Sequence, residues 1–139
     1  MKKTTILRTL CMLAAALGAS AWLAPAQAAT PDELLAAYVK QAGAPASAER
    51  GKKFFTTSHS ADGRWHCAAC HGEDPTRDGK DTMAEKVIKP LAPSANAARF
   101  TDKAKVENYF KLNCKDVVGR ECTAGEKADV IAWLLTFTR

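Results

Sequence analysis

Residues 67–71 read Cys-Ala-Ala-Cys-His. Two thiols three positions apart, followed at once by a histidine, form the C-x-x-C-H pattern of covalent haem attachment. That spacing lets the thiols reach the two vinyl groups of one porphyrin, while the imidazole lies under its iron. A chain tied to a rigid planar group must wrap that group, and the two thioethers let a small domain do so without a large core of its own. Zinc is a poorer fit, because it wants a second ligand pair and Cys114 and Cys122 stand too far apart for a C-x-x-C knuckle. A thioredoxin-like dithiol wants a βαβ setting, and the pattern of the chain shows none. The motif predicts one covalent haem c on Cys67 and Cys70, with His71 as the proximal iron ligand.

The 139 residues suffice for one domain. Lys2, Lys3 and Arg8 precede a run rich in Ala and Leu from Leu10 to Leu23, and Ala26-Gln27-Ala28 supplies a small-residue cleavage site. Residues 1–28 therefore read as a secretory signal peptide, too short and wrongly flanked for a membrane anchor, and residues 29–139 as a single soluble, exported domain. Lys2-Lys3 is no twin-arginine signal, so export precedes cofactor attachment. Removing the segment changes 20 basic against 15 acidic residues into 17 against 15, and the charge falls from +5 to +2. Nucleic-acid binding loses its main support. No later stretch has the length and apolarity of a membrane span. Cys11 leaves with the signal, and four cysteines remain for an oxidising compartment. With Cys67 and Cys70 given to haem, Cys114 and Cys122 are a candidate pair around a turn at Gly119, two separate thiols being the alternative.

The rest of the chain reads as helices and loops without convincing strands. Thr30-Pro31-Asp32-Glu33 is a capping box opening a helix that ends near Gly43. A second helix runs from about Ser47 to Thr57, with Phe54 and Phe55 inward and Gly51 permitting close approach. Residues 72–100 contain Gly72, Pro75, Gly79, Pro90 and Pro93 and form a wrapping loop, with a short helix near Thr82–Lys89 as an option. Thr101 or Asp102 caps a helix through about Leu112, whose Val106, Tyr109, Phe110 and Asn113 share a face. Thr123-Ala124-Gly125-Glu126 starts the last helix, with Val130, Trp133, Leu134 and Phe137 as its stripe. An N-terminal helix before the motif and an amphipathic helix closing the chain is the all-α plan of class I cytochromes c. There Gly51 and Phe54 or Phe55 would meet Trp133 or Phe137.

Several side chains compete for the distal face of the iron. Met83 is the one methionine after the signal, but it follows His71 by only twelve residues and reads better as a surface or packing residue. His59 precedes the motif and would need an unusual loop; His66 is held at the proximal edge. Asn113 stands forty-two residues after His71, where a distal ligand is expected, although asparagine is also an ordinary helix-end residue. Pro90 lies where a carbonyl could accept the second ring N–H of His71, a role set against simple loop shaping.

The chain resembles the sphaeroides haem protein family, small high-spin cytochromes c of the class I fold, over about residues 31–135. The likeness rests on Gly43-Ala44-Pro45, Ala48-Glu49-Arg50-Gly51, the haem motif, Pro90-Leu91-Ala92-Pro93-Ser94-Ala95, Arg99-Phe100-Thr101-Asp102, Asn113-Cys114, Gly119-Arg120 and Gly125-Glu126-Lys127-Ala128-Asp129. It implies that Asn113 is the sixth iron ligand and that Cys114 and Cys122 form a disulfide. It also implies that the ferrous protein binds diatomic gases such as oxygen, nitric oxide or carbon monoxide. The partners implied are a dihaem cytochrome c and a membrane cytochrome b.

The expectation is a periplasmic monohaem cytochrome, an electron carrier and gas binder and not an enzyme. A plain carrier with no exchangeable ligand is the alternative. A weak oxygen or nitric oxide reductase or dioxygenase would want a distal acid–base group. None stands out, since Arg99, Lys111 and Lys115 read as solvated charges. Lysines around a haem edge would suit an acidic partner, but a charge of +2 makes that signal weak.

Overall fold

The computed structural model describes residues 28–81 and 83–138. All but the last residue of the expected signal segment, with Cys11 in it, therefore lies outside the described residues. Five helices follow in order: α1 (Pro31–Ala42), α2 (Ala48–Thr56), α3 (Cys67–His71), α4 (Lys103–Val118) and α5 (Ala124–Leu134). One small antiparallel ladder, β1 (Gly79–Lys80) with β2 (Val87–Ile88), lies between α3 and α4 and pairs Gly79 with Ile88.

The helix starts follow from local chemistry. Thr30 Oγ1 accepts from the Glu33 N–H at 3.2 Å, and Glu33 Oε2 accepts from the Thr30 N–H at 2.8 Å. Thr123 and Glu126 repeat this reciprocal cap at 3.2 and 2.8 Å at the head of α5. Ser47 and Asp102 cap α2 and α4 through single side-chain acceptors. Gly43 and Gly119 close α1 and α4 in the left-handed region, at φ of 66° and 78°.

Helix α5 is the axis of the core. Ala128, Asp129, Val130, Ile131, Trp133 and Leu134 are all buried, so it is covered on nearly every side. Its most extensive contacts are with α2 and α1. At the α2 crossing, Gly51 faces the Asp129 carbonyl so closely that a β-carbon on Gly51 would overlap that backbone. The same Asp129 ties the crossing from its side chain. Its carboxylate accepts from the Ser47 N–H at 2.6 Å and from Arg50 Nε and Nη2 at 2.7 and 2.8 Å. The residue is only 7% exposed. A carboxylate at the N-terminus of α2 also suits the helix dipole. Phe55, one turn after Gly51, is buried against Trp133 with ring centroids 4.8 Å apart, and Phe137 meets the other side of Trp133 at 5.3 Å. Phe54 instead lies over His59 at 4.6 Å.

Two expectations are corrected. Residues 82–89 form no helix among those described. Asp81 accepts from the Met83 and Ala84 N–H groups, both at 2.9 Å, and its own N–H reaches the Lys86 carbonyl at 2.8 Å. That turn competes with a helical start, and the β-branched Val87 and Ile88 then extend into β2. Helix α4 does not stop near Leu112 but continues to Gly119, which places Asn113 and Cys114 inside it. A single asparagine lowers helix propensity without ending a helix; glycine in the left-handed region ends this one.

The α2–α5 crossing generates two predictions for the holoprotein in guanidinium titrations. Gly51→Ala would gain about 1 kcal/mol of helix propensity if space were free. The overlap with Asp129 instead makes it a net loss of about 3 kcal/mol. Asp129→Ala, which strips the Ser47 N–H of its buried acceptor, costs about 2 kcal/mol.

Candidate functional site

Helix α3 is one turn long and carries the whole C-x-x-C-H motif. Ala68 points into the core, Ala69 is exposed, and Cys67, Cys70 and His71 are half-buried between them. The turn thus offers both thiols and the imidazole from one short, anchored segment. The wrapping loop fixes it from beneath. Gly79 packs against the Cys70 carbonyl and the His71 backbone, where any side chain would collide. Pro75 is fully buried, and its carbonyl accepts from the Leu91 and Ala92 N–H groups, both at 2.9 Å. From the core side, Phe55 lies 6.0 Å from the His71 ring.

The electrostatics of this turn suit a metal-binding imidazole. Burial, with a smaller push from the Arg99 charge, holds His71 down at about 4, so the ring is neutral at ordinary pH and keeps a lone pair for a metal. Burial raises the Cys67 thiol to about 11. Among the described residues, no group of three or more His, Cys, Asp or Glu side chains could hold a metal ion unaided. The zinc alternative therefore lacks ligands there. Two thiols and a neutral imidazole on one turn fit covalent haem, which would bring its own nitrogens to the iron.

Arg99 is not the solvated charge expected from sequence. It is half-buried and donates from Nε to the Pro90 carbonyl at 2.8 Å and from Nη2 to the Lys89 carbonyl at 2.6 Å. Asn96 Nδ2 reaches the same Pro90 oxygen at 3.2 Å. Among the described residues the Pro90 carbonyl thus accepts from Asn96 and Arg99 and not from the His71 ring. The next residue, Phe100, is buried with φ of 61°, a left-handed conformation uncommon for a bulky side chain, at the point where the loop turns into α4.

The four distal candidates stand in different surroundings. Met83 is 78% exposed on the turn before β2, beside Trp65 and Ala69. His59 Nε2 is hydrogen-bonded to the Phe54 carbonyl at 2.9 Å, a packing role. His66 precedes α3, with its Nδ1 buried and unpartnered. On α4, Val106 and Cys114 point inward, while Tyr109, Leu112 and Asn113 form an exposed stripe beside them. Cys114 and Cys122 are joined in a disulfide with Cα atoms 5.6 Å apart. Asn113 is thus next to a covalent anchor on a helix whose adjoining side chains are apolar and open. Lys111 and Lys115 are exposed, as expected.

Sequence reading missed the contacts made by Arg99, Glu107 and Lys127. Their partners lie nine to twenty positions away, beyond any local pattern.

Comparison with known proteins agrees with this geometry. The family described as a domain of unknown function, DUF1924, matches residues 41–134. The cytochrome c-type protein SHP of Cereibacter sphaeroides is 50% identical over 107 residues, spanning 76% of this chain and 82% of that protein. Cytochrome c'' of Methylophilus methylotrophus is 48% identical over 73 residues, 52% of this chain and 51% of that one. Among solved structures, oxidised SHP, described as an oxygen-binding cytochrome c, superposes with a TM-score of 0.73 at 45% identity, covering 79% of this chain and 99% of its own. Oxidised cytochrome c'' gives 0.70 at 38% identity, covering 78% and 95%. The likeness extends beyond the motif to the whole helical frame around it, and the chain belongs to the sphaeroides haem protein family, matched by DUF1924, as a monohaem c-type cytochrome.

Proposed function

We propose that the chain is a periplasmic one-electron carrier that also binds a diatomic gas at ferrous iron, with Asn113 as a distal ligand that holds the ferric state and lets go on reduction. The observation that carries this reading is the place of Asn113, in mid-helix on an open stripe, beside the Cys114–Cys122 disulfide. Bound haem supplies the one-electron couple and the coordination site. Cys67 and Cys70 fix the ring to α3 as thioethers, and His71 offers its neutral imidazole from the proximal side. An asparagine amide is a weak, uncharged donor compared with methionine sulfur or imidazole, which favours release when the metal gains an electron. The disulfide steadies the backbone of α4 while that side chain moves. One relative is described as an oxygen-binding cytochrome c. A solution structure of cytochrome c'' is described in connection with haem-ligand detachment. Both support an exchangeable sixth ligand over a plain carrier.

The proposal includes cleavage of residues 1–28, leaving the domain 29–139 in the periplasm. Redox partner proteins, a dihaem cytochrome c and a membrane cytochrome b among them, would exchange electrons with it. The protein acts in this reading as carrier and ligand binder, not as an enzyme.

Absorption spectra of the oxidised and reduced holoprotein, with and without carbon monoxide, test the core of the proposal. The reduced protein is expected to be high-spin and to shift promptly with the gas. Asn113→Met gives a low-spin reduced spectrum indifferent to carbon monoxide; an unchanged gas response in that variant would rule out Asn113. In alkaline pyridine, Cys67→Ala or Cys70→Ala shifts the reduced haem band to longer wavelength, since one vinyl group then stays conjugated with the ring. Mass spectrometry of the periplasmic fraction finds a chain beginning at Ala29.

A further inference from the structure

Helix α4 carries Asn113, yet among the described residues it shares no extended interface with another helix. It turns only Val106 and Cys114 fully into the protein. One of its fixed points is the disulfide from Cys114 to Cys122. The other is an ion pair from a different helix. Lys127 of α5 donates from Nζ to Glu107 Oε2 at 2.8 Å. The Lys127 side chain is only 16% exposed, rare for a lysine. Its ammonium sits 5.3 Å from the centre of the Tyr38 ring and 5.8 Å from that of Phe110, and those rings meet edge to face at 6.0 Å. The Tyr38 hydroxyl is buried with no well-formed hydrogen bond; burial, and then the nearby Glu107 carboxylate, keep it protonated well above its ordinary range. One cluster therefore ties α1, α4 and α5 together.

The position of this cluster matters more than its strength. Glu107 and Cys114 are seven residues apart, so they stack about two turns from each other along one side of α4. Asn113 projects about a third of a turn around from that line. Two anchors on one side fix the direction of the helix; with the disulfide alone, α4 can swing about Cys114. Because Asn113 projects sideways from the axis, a change in the angle of α4 becomes a displacement of its amide. A metal–ligand contact tolerates little displacement, and misplacement by about 1 Å is enough to weaken a positioned contact greatly.

We propose that the Glu107–Lys127 pair, seated on Tyr38 and Phe110, is a positioning anchor that sets the angle of α4 and so the hold of Asn113 on ferric iron. This rests on the reading of Asn113 as the distal ligand. The pair touches neither the iron nor the incoming gas; it acts through the helix.

Cyanide must displace Asn113 from the oxidised holoprotein, so its affinity reports that hold. Glu107→Gln and Lys127→Met are each expected to tighten cyanide binding about threefold to tenfold and to raise the midpoint potential. Lys127→Arg, which keeps the charge over the rings, restores the wild-type affinity. In an Asn113→Ala background, which itself tightens cyanide binding, Glu107→Gln has no further effect. Thr30→Ala, which removes the exposed cap of α1 and so lowers stability away from the site, leaves cyanide affinity unchanged and separates positioning from general stability. Equal affinity in wild type and Glu107→Gln, or the same gain with and without Asn113, overturns the anchor alone. If Asn113→Ala leaves the oxidised spectrum and the cyanide affinity as they are in wild type, the ligand reading falls and the anchor with it.

Discussion

The approach of Gly51 to the Asp129 carbonyl determines where the other parts of the site stand. Two helices can come this close only where one of them has no side chain, and the crossing is held by the Asp129 carboxylate on Ser47 and Arg50. Phe55 follows one turn later and is pressed between Trp133 and the His71 ring. His71 is thus supported by a ring whose position is set by a backbone contact on its own helix. The Arg50 end of the pair is open to water and adds little by itself. The buried N–H of Ser47 makes the carboxylate necessary.

A chain this small has few side chains to spare for enclosing a planar group, and it encloses α3 largely with backbone. Gly79 lies against the Cys70 carbonyl, and the Pro75 carbonyl collects two N–H groups from residues 91 and 92. Arg99 spends its guanidinium on the Lys89 and Pro90 carbonyls, satisfying acceptors the loop would otherwise leave open. These contacts explain why the loop is rich in glycine and proline. Gly79 stands where a side chain would collide, and Gly72 where the chain must turn at positive φ.

What the sequence disclosed was chemistry with a short reach. Thr30 with Glu33 and Thr123 with Glu126 act within four residues, and the helix starts read from them agree with the structure, as does the end of α1 at Gly43. The haem motif is equally local. The aromatic crossing was legible in outline, since periodicity placed Phe54 or Phe55 opposite Trp133, but only packing decides for Phe55. The Asp81 turn was hidden because its residues suit a short helix as well as a hairpin, and two backbone N–H groups on one carboxylate decide between them. Arg50 and Asp129 are 79 positions apart, and Glu107 and Lys127 twenty; no periodicity connects either pair. The same limit applied to Pro90, whose carbonyl goes to Arg99 and Asn96.

The two sides of the site differ in how they are held, and that difference bears on function. The proximal turn is backed by α2, α5 and the wrapping loop, so moving His71 would mean disturbing Phe55, Trp133 and Gly79 together. Helix α4 depends on a disulfide, an ion pair and a few apolar contacts. Free energies of local opening follow the density of buried contacts, so α4 belongs to the less stable part of the fold. A carrier with a permanent sixth ligand would gain from burying the helix that bears it, because reorganisation slows electron transfer. A protein that exchanges that ligand needs a helix that yields at modest cost yet returns to the same place. In the proposed reading of Asn113, a covalent link beside it and a charged contact about two turns before it would meet both needs: the disulfide would limit how far α4 travels, and the ion pair would give it one preferred angle to regain.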